Sequence, residues 1–309
     1  MDSKVSLDEE QQGIVDSDKS VVVVAGPGSG KTRVLTSKAR KLLNKGESLI
    51  CLCFTRSAAR EMASRVPNLP ATTIHSYCCG VVGWKDEWDY TGLLTRFLWS
   101  KDKNKFQNVL LDECQDVNEL ELDVALSLVG DKMFAVGDPY QSIYGFQGAV
   151  GSKVVNILKS LGCQVSNLHN NYRSCEGIVS SLNKIYDRDL VSKGIKETGS
   201  TAILCRTNDD VQYVSKELKS KGIPHRLRVS IDRATEDKRE FDILGESTLR
   251  LSTVHVSKGL EFNNVILAFW PGDRRLYDEE KRVYYVAYSR ASKSFKEVET
   301  VSELIKELR

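Results

Sequence analysis

A glycine-rich stretch, AGPGSGKT at residues 25–32, follows the four valines Val21–Val24. This order predicts a buried strand, a tight loop and the first turn of a helix, whose backbone N–H groups can cradle a polyphosphate. Lys31 can reach the β- and γ-phosphate oxygens, and the Thr32 hydroxyl can ligate Mg²⁺. The strict motif has glycine where this chain has Ala25. The predicted nucleotide-binding residues of the loop are Ala25, Gly26, Gly28, Ser29, Gly30, Lys31, Thr32 and Arg33.

Two acidic residues follow a second apolar run. Asp112 and Glu113 come directly after Val109–Leu111. The first carboxylate can hold Mg²⁺, and the second can orient or deprotonate a water molecule. An acidic strand end is common and by itself is usually only solvated. Together with the phosphate loop it predicts hydrolysis of a nucleoside triphosphate.

Short apolar runs recur along the chain with helical spacing between them, as in Thr32–Leu43. Strands that alternate with helices predict the α/β class, with parallel sheets covered on both faces. We place a boundary near Leu168, which gives two lobes, residues 1–168 and 169–309. The predicted strands are Val21–Val24, Leu49–Phe54, Val109–Leu111, Met133–Val136, Ala202–Cys205, Leu249–Val254 and Val265–Phe269.

Polar or glycine-rich segments follow four successive strands of the first lobe, after Val24, Phe54, Leu111 and Val136. In parallel sheets, ligands bind where the loops leave the carboxyl ends of the strands. Because these segments all fall at the same end, we expect them to form one shared site.

Composition narrows the class of protein. The 309 residues include 44 Lys and Arg against 42 Asp and Glu, a net charge of +2, so bulk charge does not indicate a nucleic-acid partner. A hydrophobic share of 41% and a charged share of 28% are those of an ordinary globular chain. Eight cysteines without a CxxC pair are expected to be buried thiols in a reducing compartment, Cys114 among them.

The first ten residues contain no apolar stretch, and the longest apolar runs are too short to cross a bilayer. We therefore expect an intracellular, cytoplasmic protein without a membrane partner.

Six segments, in this order, resemble the UvrD/Rep/PcrA-type superfamily I DNA helicases. They are LDEEQ (7–11), DECQD (112–116), GDPYQSIYG (137–145), NYRS (171–174), TVHVSKGLEF (253–262) and YVAYSRA (285–291). The resemblance implies two RecA-like lobes with the nucleotide site in the cleft between them, and ATP and Mg²⁺ as cofactors.

The resemblance also implies roles for individual residues. Gln11 would read the adenine edge and Tyr172 would stack on the base. Gln141 would contact the γ-phosphate or the attacking water, and Glu261 would lie near the ribose. Arg173 and Arg290 would be the two arginine fingers that the second lobe presents to the γ-phosphate.

Arg290 has support from the residue pattern as well. Val283, Val286 and Ala287 form an apolar stripe, and a helix over 283–291 places Arg290 on the same face. Such an arginine either pairs with an acid in the core or faces a cleft between the lobes. We favour the cleft, because a guanidinium suits the charge that develops on a γ-phosphate. Arg173 by itself is also compatible with a plain loop.

A motor on single-stranded DNA needs aromatic platforms for the bases and cationic or polar contacts to the backbone. The candidates are Phe54, Thr55, Arg56, His75, Tyr144, Phe146, His255 and Lys258. Phe54 is also compatible with a core position, and the two histidines with hydrogen-bonded structural roles. By resemblance, Phe146 stands where the family usually has tryptophan, and Gln147 replaces its usual arginine.

The segments that hold large inserted subdomains in bigger family members are short here, at 81–105 and 228–248, and Ser294–Arg309 is expected to form one closing element. The sequence thus predicts a monomeric ATP-driven motor on single-stranded DNA or a 3′-tailed duplex. The expected polarity is 3′→5′, and unwinding is expected to be weak or to depend on a protein partner. The alternatives are an ATP-gated DNA-binding module without stepping and, well behind it, a small-molecule phosphotransferase. RNA is not excluded as the strand, because contacts through backbone and stacking discriminate poorly.

Overall fold

The computed structural model describes residues 6–85, 89–230, 238–245, 247–270 and 278–309, and the chain divides into two compact units, residues 1–169 and 170–309. The division falls one residue beyond the boundary expected from the sequence. Each unit has its own sheet and its own apolar clusters.

The first unit is built on a six-stranded parallel sheet with the order β3-β2-β4-β5-β1-β6. The four predicted strands are present, and two shorter or less apolar ones, β3 and β6, were not predicted. The strands are β1 Val21–Ala25, β2 Leu49–Cys53, β3 Ala71–Thr73, β4 Phe106–Leu111, β5 Val129–Gly137 and β6 Gln164–Leu168.

Helices cover both faces of this sheet, as predicted. Alternate strand residues point to opposite faces, so Val22 and Ile50 join one apolar cluster while Val21 and Cys51 join the other. The first three helices pack on the Val21 face and the last four on the Val22 face. The helices are α1 Glu9–Asp16, α2 Lys31–Asn44, α3 Arg56–Arg65, α4 Ile74–Val82, α5 Tyr90–Trp99, α6 Glu119–Ser127 and α7 Lys153–Ser160.

The second unit also has a six-stranded sheet, with the order β11-β10-β12-β9-β13-β14. Two short strands, β7 and β8, pair separately. The strands are β7 Asn170–Asn171, β8 Val191–Ser192, β9 Thr201–Cys205, β10 His225–Ser230, β11 Lys238–Ile243, β12 Leu249–Thr253, β13 Phe262–Ala268 and β14 Ala291–Val298. The helices are α8 Glu176–Tyr186, α9 Asn208–Ser220, α10 Val254–Ser257, α11 Asp278–Ser289 and α12 Val301–Glu307.

Three sequence expectations for this unit are wrong. The sheet is not wholly parallel, because β10 and β11 form an antiparallel hairpin rich in charged residues. Residues after Ser289 form a strand and a helix, β14 and α12, rather than one closing element. The helix before them ends at Ser289, since Ala291 already pairs with Phe262 of β13, and Arg290 is therefore the residue that follows the helix.

None of the helices in the described ranges is both long and apolar enough to cross a membrane.

Candidate nucleotide site and single-strand contacts

The phosphate loop joins the end of β1 to the start of α2. Gly28 and Gly30 have φ values of 69° and 85°, a backbone region that favours glycine. Helix α2 starts without a side-chain cap or an acidic first turn among the residues described, which leaves its first N–H groups for an anion. Lys31 Nζ donates to the carbonyls of Ala25 and Gly26 at 3.4 and 3.3 Å, so the ammonium lies over the loop.

Ala25 precedes the loop at the end of β1, and Thr32 and Arg33 follow Lys31 in α2. Ala25 is the last residue of β1 and its methyl group packs in an apolar cluster, so this position does not need glycine. Thr32 and Arg33 are half-buried in the first turn of α2.

Gln11 is buried and connects α1 to the phosphate loop. Its Nε2 donates to the Ser29 carbonyl at 2.9 Å, while its Oε1 accepts from the Asp8 N–H in a capping box at the start of α1. A Cβ on Gly30 would lie 2.7 Å from Gln11 Nε2, so glycine is required for this close approach.

Asp112 and Glu113 directly follow β4, which is separated from β1 in the sheet by β5. Asp112 is buried, and burial together with the Glu113 charge raises its pKa to about 7, while the Lys31 ammonium opposes the rise. The phosphate loop and Asp112 both follow carboxyl ends of strands of the same parallel sheet, and the Lys31 charge is near enough to act on Asp112. Glu113 has a φ of 48°, a left-handed conformation that a non-glycine residue rarely adopts.

Two buried residues that were not predicted as site residues, Gln115 and Asp138, link Glu113 to Gln141. Gln115 Nε2 donates to Glu113 Oε2 at 2.8 Å, and Gln115 Oε1 accepts from the Asp138 N–H at 3.0 Å. Gln141 Nε2 in turn donates to Asp138 Oδ2 at 2.8 Å. The signal for this link was present in the sequence, because both residues are polar and follow buried strands.

Cys114 lies within this site and is buried, as expected. Burial raises the pKa of its thiol far above its ordinary value, which opposes a nucleophilic role. All eight cysteines are free thiols.

Three of the predicted DNA-contacting aromatic residues form a row in the first unit. The ring centroids of Phe54 and Tyr144 are 5.1 Å apart, and those of Tyr144 and Phe146 are 6.1 Å apart. Phe54 is half-buried, Tyr144 is buried, and Phe146 is 65% exposed. Phe146 is therefore the ring of this row that is most available to a base.

Thr55 and His75 already make polar contacts within the first unit, whereas Arg56 is exposed. The Thr55 hydroxyl caps α3 by accepting from the Ala58 N–H at 3.1 Å, whereas Arg56 is exposed on the first turn of that helix. His75 lies in the first turn of α4, with Nδ1 3.4 Å from Glu121 Oε1. Burial lowers the pKa of His75.

In the second unit, Arg173 and Glu261 form an ion pair with 2.5 Å between Nη2 and Oε1. Lys196 Nζ lies 2.5 Å from the other carboxylate oxygen. Burial favours the protonated form of Glu261, but these two cations outweigh it and lower the pKa of the carboxyl. Tyr172, beside Arg173, is 40% exposed.

Arg290 is buried beside this ion pair. Its Nη1 donates to the Leu260 carbonyl at 3.2 Å, its Nε to the Val286 carbonyl at 3.3 Å and its Nη2 to Ser289 Oγ at 2.9 Å. Arg173 Nη1 donates to the Ser289 carbonyl at 3.3 Å, so both arginines contact the same turn. The structure thus brings Arg173, Glu261 and Arg290 together within the second unit.

The remaining two candidates, His255 and Lys258, lie in and just after the one-turn helix α10. Both are half-buried. They follow β12 at its carboxyl end, the same kind of position that the loop residues of the first unit occupy.

Two family models match the chain. One, described as an AAA domain, matches residues 11–147, and the other, described as a UvrD-like helicase C-terminal domain, matches residues 228–295.

Curated relatives of known sequence are similar over part of the chain. A probable DNA helicase of Mycoplasma pneumoniae is 29% identical over 224 residues, which is 59% of this chain and 41% of the relative. DNA helicase II of Escherichia coli is 30% identical over 129 residues, which is 38% of this chain and 18% of the relative. The chain therefore spans less than half the length of these two relatives.

Solved structures resemble the whole chain in fold. The crystal structure of Pif1 helicase from Candida albicans has a TM-score of 0.59 at 14% identity, covering 99% of this chain and 100% of that one. Bacteroides Pif1 bound to ssDNA has a TM-score of 0.52 at 14% identity, covering 98% and 96%. These similarities confirm the predicted fold class of two RecA-like lobes.

Proposed function

We propose that this chain, which belongs to the UvrD-type superfamily I DNA helicases, is an ATP-driven motor that moves along single-stranded DNA. The observation that carries the proposal is the connected set of groups in the first unit. The Lys31 charge acts on the Asp112 carboxyl, and the hydrogen bonds through Gln115 and Asp138 join Glu113 to Gln141. Such an arrangement suits hydrolysis of a nucleoside triphosphate.

The residues present fit ATP and Mg²⁺. The uncapped start of α2 and the Lys31 ammonium are suited to phosphate oxygens, and Thr32 and Asp112 offer oxygen ligands for the metal. Asp112 is a buried carboxyl whose ionised form is disfavoured, so a divalent cation beside it would compensate its charge. When bound, Mg²⁺ supplies neutralisation of the phosphate charge that develops during hydrolysis.

Glu113 is the proposed general base. Its carboxylate is held by Gln115 Nε2, which fixes the side chain of the proposed base. Gln141, held by Asp138, is proposed to contact the γ-phosphate or the attacking water.

The second unit is proposed to supply the remaining nucleotide contacts. Arg173 and Arg290 would contact the γ-phosphate, Glu261 would lie near the ribose, and Tyr172 would stack on the base that Gln11 reads. The hydrogen bonds of both arginines to the turn at Ser289 support this role, because they hold the two guanidinium groups as one rigid set.

The single strand is proposed to contact Phe54, Tyr144 and Phe146 by stacking, with further contacts from Thr55, Arg56, His75, His255 and Lys258. Phe146 supports this most directly, because 65% of its surface is exposed. We propose movement in the 3′→5′ direction by a monomer on single-stranded DNA or a 3′-tailed duplex, with unwinding that is weak or stimulated by a protein partner.

The first experiment measures ATP hydrolysis with and without single-stranded DNA for the wild type, Lys31→Ala and Glu113→Gln. We expect DNA to stimulate the wild type, and both substitutions to lower the rate, Glu113→Gln by about 10²–10⁴-fold. Lys41→Ala, near the other end of the same helix as Lys31, is the matched control and should keep the wild-type rate. A slow rate that DNA does not change would contradict the proposed coupling.

Polarity and unwinding require a second assay, displacement of a labelled strand from duplexes with a 3′ or a 5′ tail. We expect weak displacement confined to the 3′-tailed duplex. Displacement that prefers 5′ tails would show the proposed polarity to be wrong.

An ATP-gated single-strand binding module without stepping is the second candidate. The exposed Gln147 favours it, since it stands where the family usually has an arginine beside the stacking residue. The two candidates are distinguished by the time that the chain takes to displace a labelled protein from the end of a single strand. A motor gives a delay that grows with strand length, whereas a gated module gives no such dependence.

A further inference from the structure

The first unit contains a cavity of about 260 Å³ between the starts of α4, α5 and α6 and the turn at Gln147. For comparison, an engineered cavity of about 150 Å³ holds a benzene ring. A space of this size therefore admits a planar heteroaromatic ring. Its lining includes His75, Tyr90, Leu94, Asn118, Glu119 and Gln147.

Aromatic rings form one wall of this cavity. Tyr90, the first residue of α5, meets His75 edge-on with ring centroids 4.8 Å apart and an interplanar angle of 81°. Trp84 lies beyond it, 6.0 Å from the Tyr90 ring. Tyr90 and Trp84 are 39% and 45% exposed, so both offer ring surface to a ligand.

The polar groups of the lining suit the edge of a base better than a phosphate. Glu119 brings a carboxylate and Gln147 an amide, and both side chains are exposed. The lining described includes neither lysine nor arginine, and burial lowers the pKa of His75, which favours its neutral form. A carboxylate repels phosphate but accepts hydrogen bonds from the N–H groups of a base.

The cavity continues the aromatic row of the proposed DNA path. Gln147, which lines it, directly follows the exposed Phe146, which in turn lies beside Tyr144. A strand whose bases contact Phe146 can therefore place a neighbouring nucleotide at the cavity.

We propose that this cavity is a subsite for one unstacked base of the single strand, in which Tyr90 supplies the stacking surface and Glu119 and Gln147 meet the polar edge of the base. The inference rests on the proposed function, since it requires that single-stranded DNA binds this unit. It adds a contact supplied by α5, which lies in the short segment between His75 and β4.

The test is equilibrium binding of an oligothymidylate of about 20 nucleotides, longer than one binding site, followed by fluorescence anisotropy without nucleotide. Tyr90→Ala should weaken binding about fivefold to a hundredfold, the range for loss of one stacked base. Tyr90→Phe keeps the ring and should bind like the wild type. Trp99→Ala removes a more exposed aromatic side chain at the other end of α5, outside the lining, and should also have no effect.

A series of oligothymidylates no longer than one binding site, each with one abasic position, locates the base, because a strand of this length cannot shift to avoid the abasic position. At one position the abasic strand should bind the wild type as weakly as the intact strand binds Tyr90→Ala, and the two changes together should add nothing further. This readout also separates loss of the contact from misfolding, because a misfolded variant would bind every strand of the series poorly.

Two results would overturn the inference. If the wild type and Tyr90→Ala bound the intact strand equally tightly, the subsite would be disproved but the proposed function would not. Failure of the wild type to bind single-stranded DNA would overturn the subsite and the proposed function together.

Discussion

Gly137, at the end of β5, shows how closely the groups of the nucleotide site approach each other. A Cβ at this position would lie 2.8 Å from Cys114 Sγ and within contact distance of Gln115 Oε1. Gln115 is the residue that joins Glu113 to Asp138. The absence of a side chain at Gly137 therefore leaves room for the link between the proposed general base and Gln141.

We expect Gly137→Ala to destabilise the protein by about 1–3 kcal/mol, the usual cost of overpacking a buried site. It should also slow ATP hydrolysis, because Gln115 must move. Gly13→Ala is the control, since Gly13 lies in helix α1 and its added methyl group meets nothing within 4 Å. The free energy of unfolding of the control should rise by about 0.5–1 kcal/mol. Chemical denaturation measures the free energy of unfolding of both variants. If Gly137→Ala were as stable as the wild type, the loop would have to accommodate the added methyl group without cost.

His75 predicts a dependence of stability on pH. Burial lowers its pKa in the folded state below the ordinary value of 6.5, even though the Glu121 carboxylate lies 3.4 Å away and the Tyr90 ring packs against it. The unfolded chain then binds the proton more tightly than the folded one. The free energy of unfolding is therefore expected to fall as the pH drops below about 6.5.

The substitution His75→Gln should remove this part of the acid sensitivity. The wild type should lose at most about 1.4 kcal/mol per pH unit through this one group, and the variant should lose less over the same interval. Denaturation curves between about pH 5 and about pH 7.5, an interval that contains the ordinary pKa of histidine, give the comparison. Parallel curves for the two proteins would show that His75 keeps its ordinary pKa.

At the scale of elements, Lys38 joins α2 to the end of α1. Its Nζ donates to the carbonyls of Val15 and Ser17 at 3.2 and 2.5 Å, and the residue is only 4% exposed. Burial lowers its pKa. The same helix α1 carries Gln11, so Lys38 helps to position the side chain proposed to read adenine.

We expect Lys38→Met to destabilise the protein by about 1–3 kcal/mol, because two helix-end carbonyls lose their donor. Hydrogen exchange should quicken in α1 before the rest of the unit, and ATP should bind more weakly. Lys41→Ala is the control, because its ion pair with Asp16 is exposed and screened by solvent, so its loss should leave the stability almost unchanged. Equal effects of the two substitutions would contradict the role assigned to Lys38.

At the scale of the whole molecule, each unit has its own sheet and apolar clusters, and the proposed nucleotide contacts are divided between them. Lys31, Asp112 and Glu113 belong to the first unit, whereas Arg173 and Arg290 belong to the second. Binding and rapid hydrolysis of ATP should therefore be separable.

We expect residues 1–169 alone to unfold cooperatively and to bind ATP, but to hydrolyse it at least about 10³-fold more slowly than the full chain, the scale of an arginine finger. Arg173→Lys in the full chain is the companion variant. It keeps a positive charge beside Glu261 but loses the planar fork, so its rate should also fall. Rapid hydrolysis by residues 1–169 would show that the arginines are not required.

Much of the first unit could be predicted, because its signals are local. Val21–Val24 and Val109–Leu111 are continuous apolar runs, followed by a glycine-rich loop and by two acids. Such runs are typical of parallel strands that are buried on both faces. The hairpin of β10 and β11 was not predicted, since its strands carry charged residues such as Arg226, Arg228 and Glu240. An edge hairpin of this kind has no continuous apolar run to reveal it.

The sequence by itself determined which chemical groups stand at the carboxyl ends of the strands, because a strand, the turn after it and the first turn of a helix are contiguous in the chain. Only the tertiary structure decided what these groups contact. Gln115 reaches the main chain of Asp138, 23 residues away, and Lys38 reaches the carbonyl of Val15 on another helix. Such contacts depend on how separate elements pack, and no short stretch of sequence encodes the distance between them.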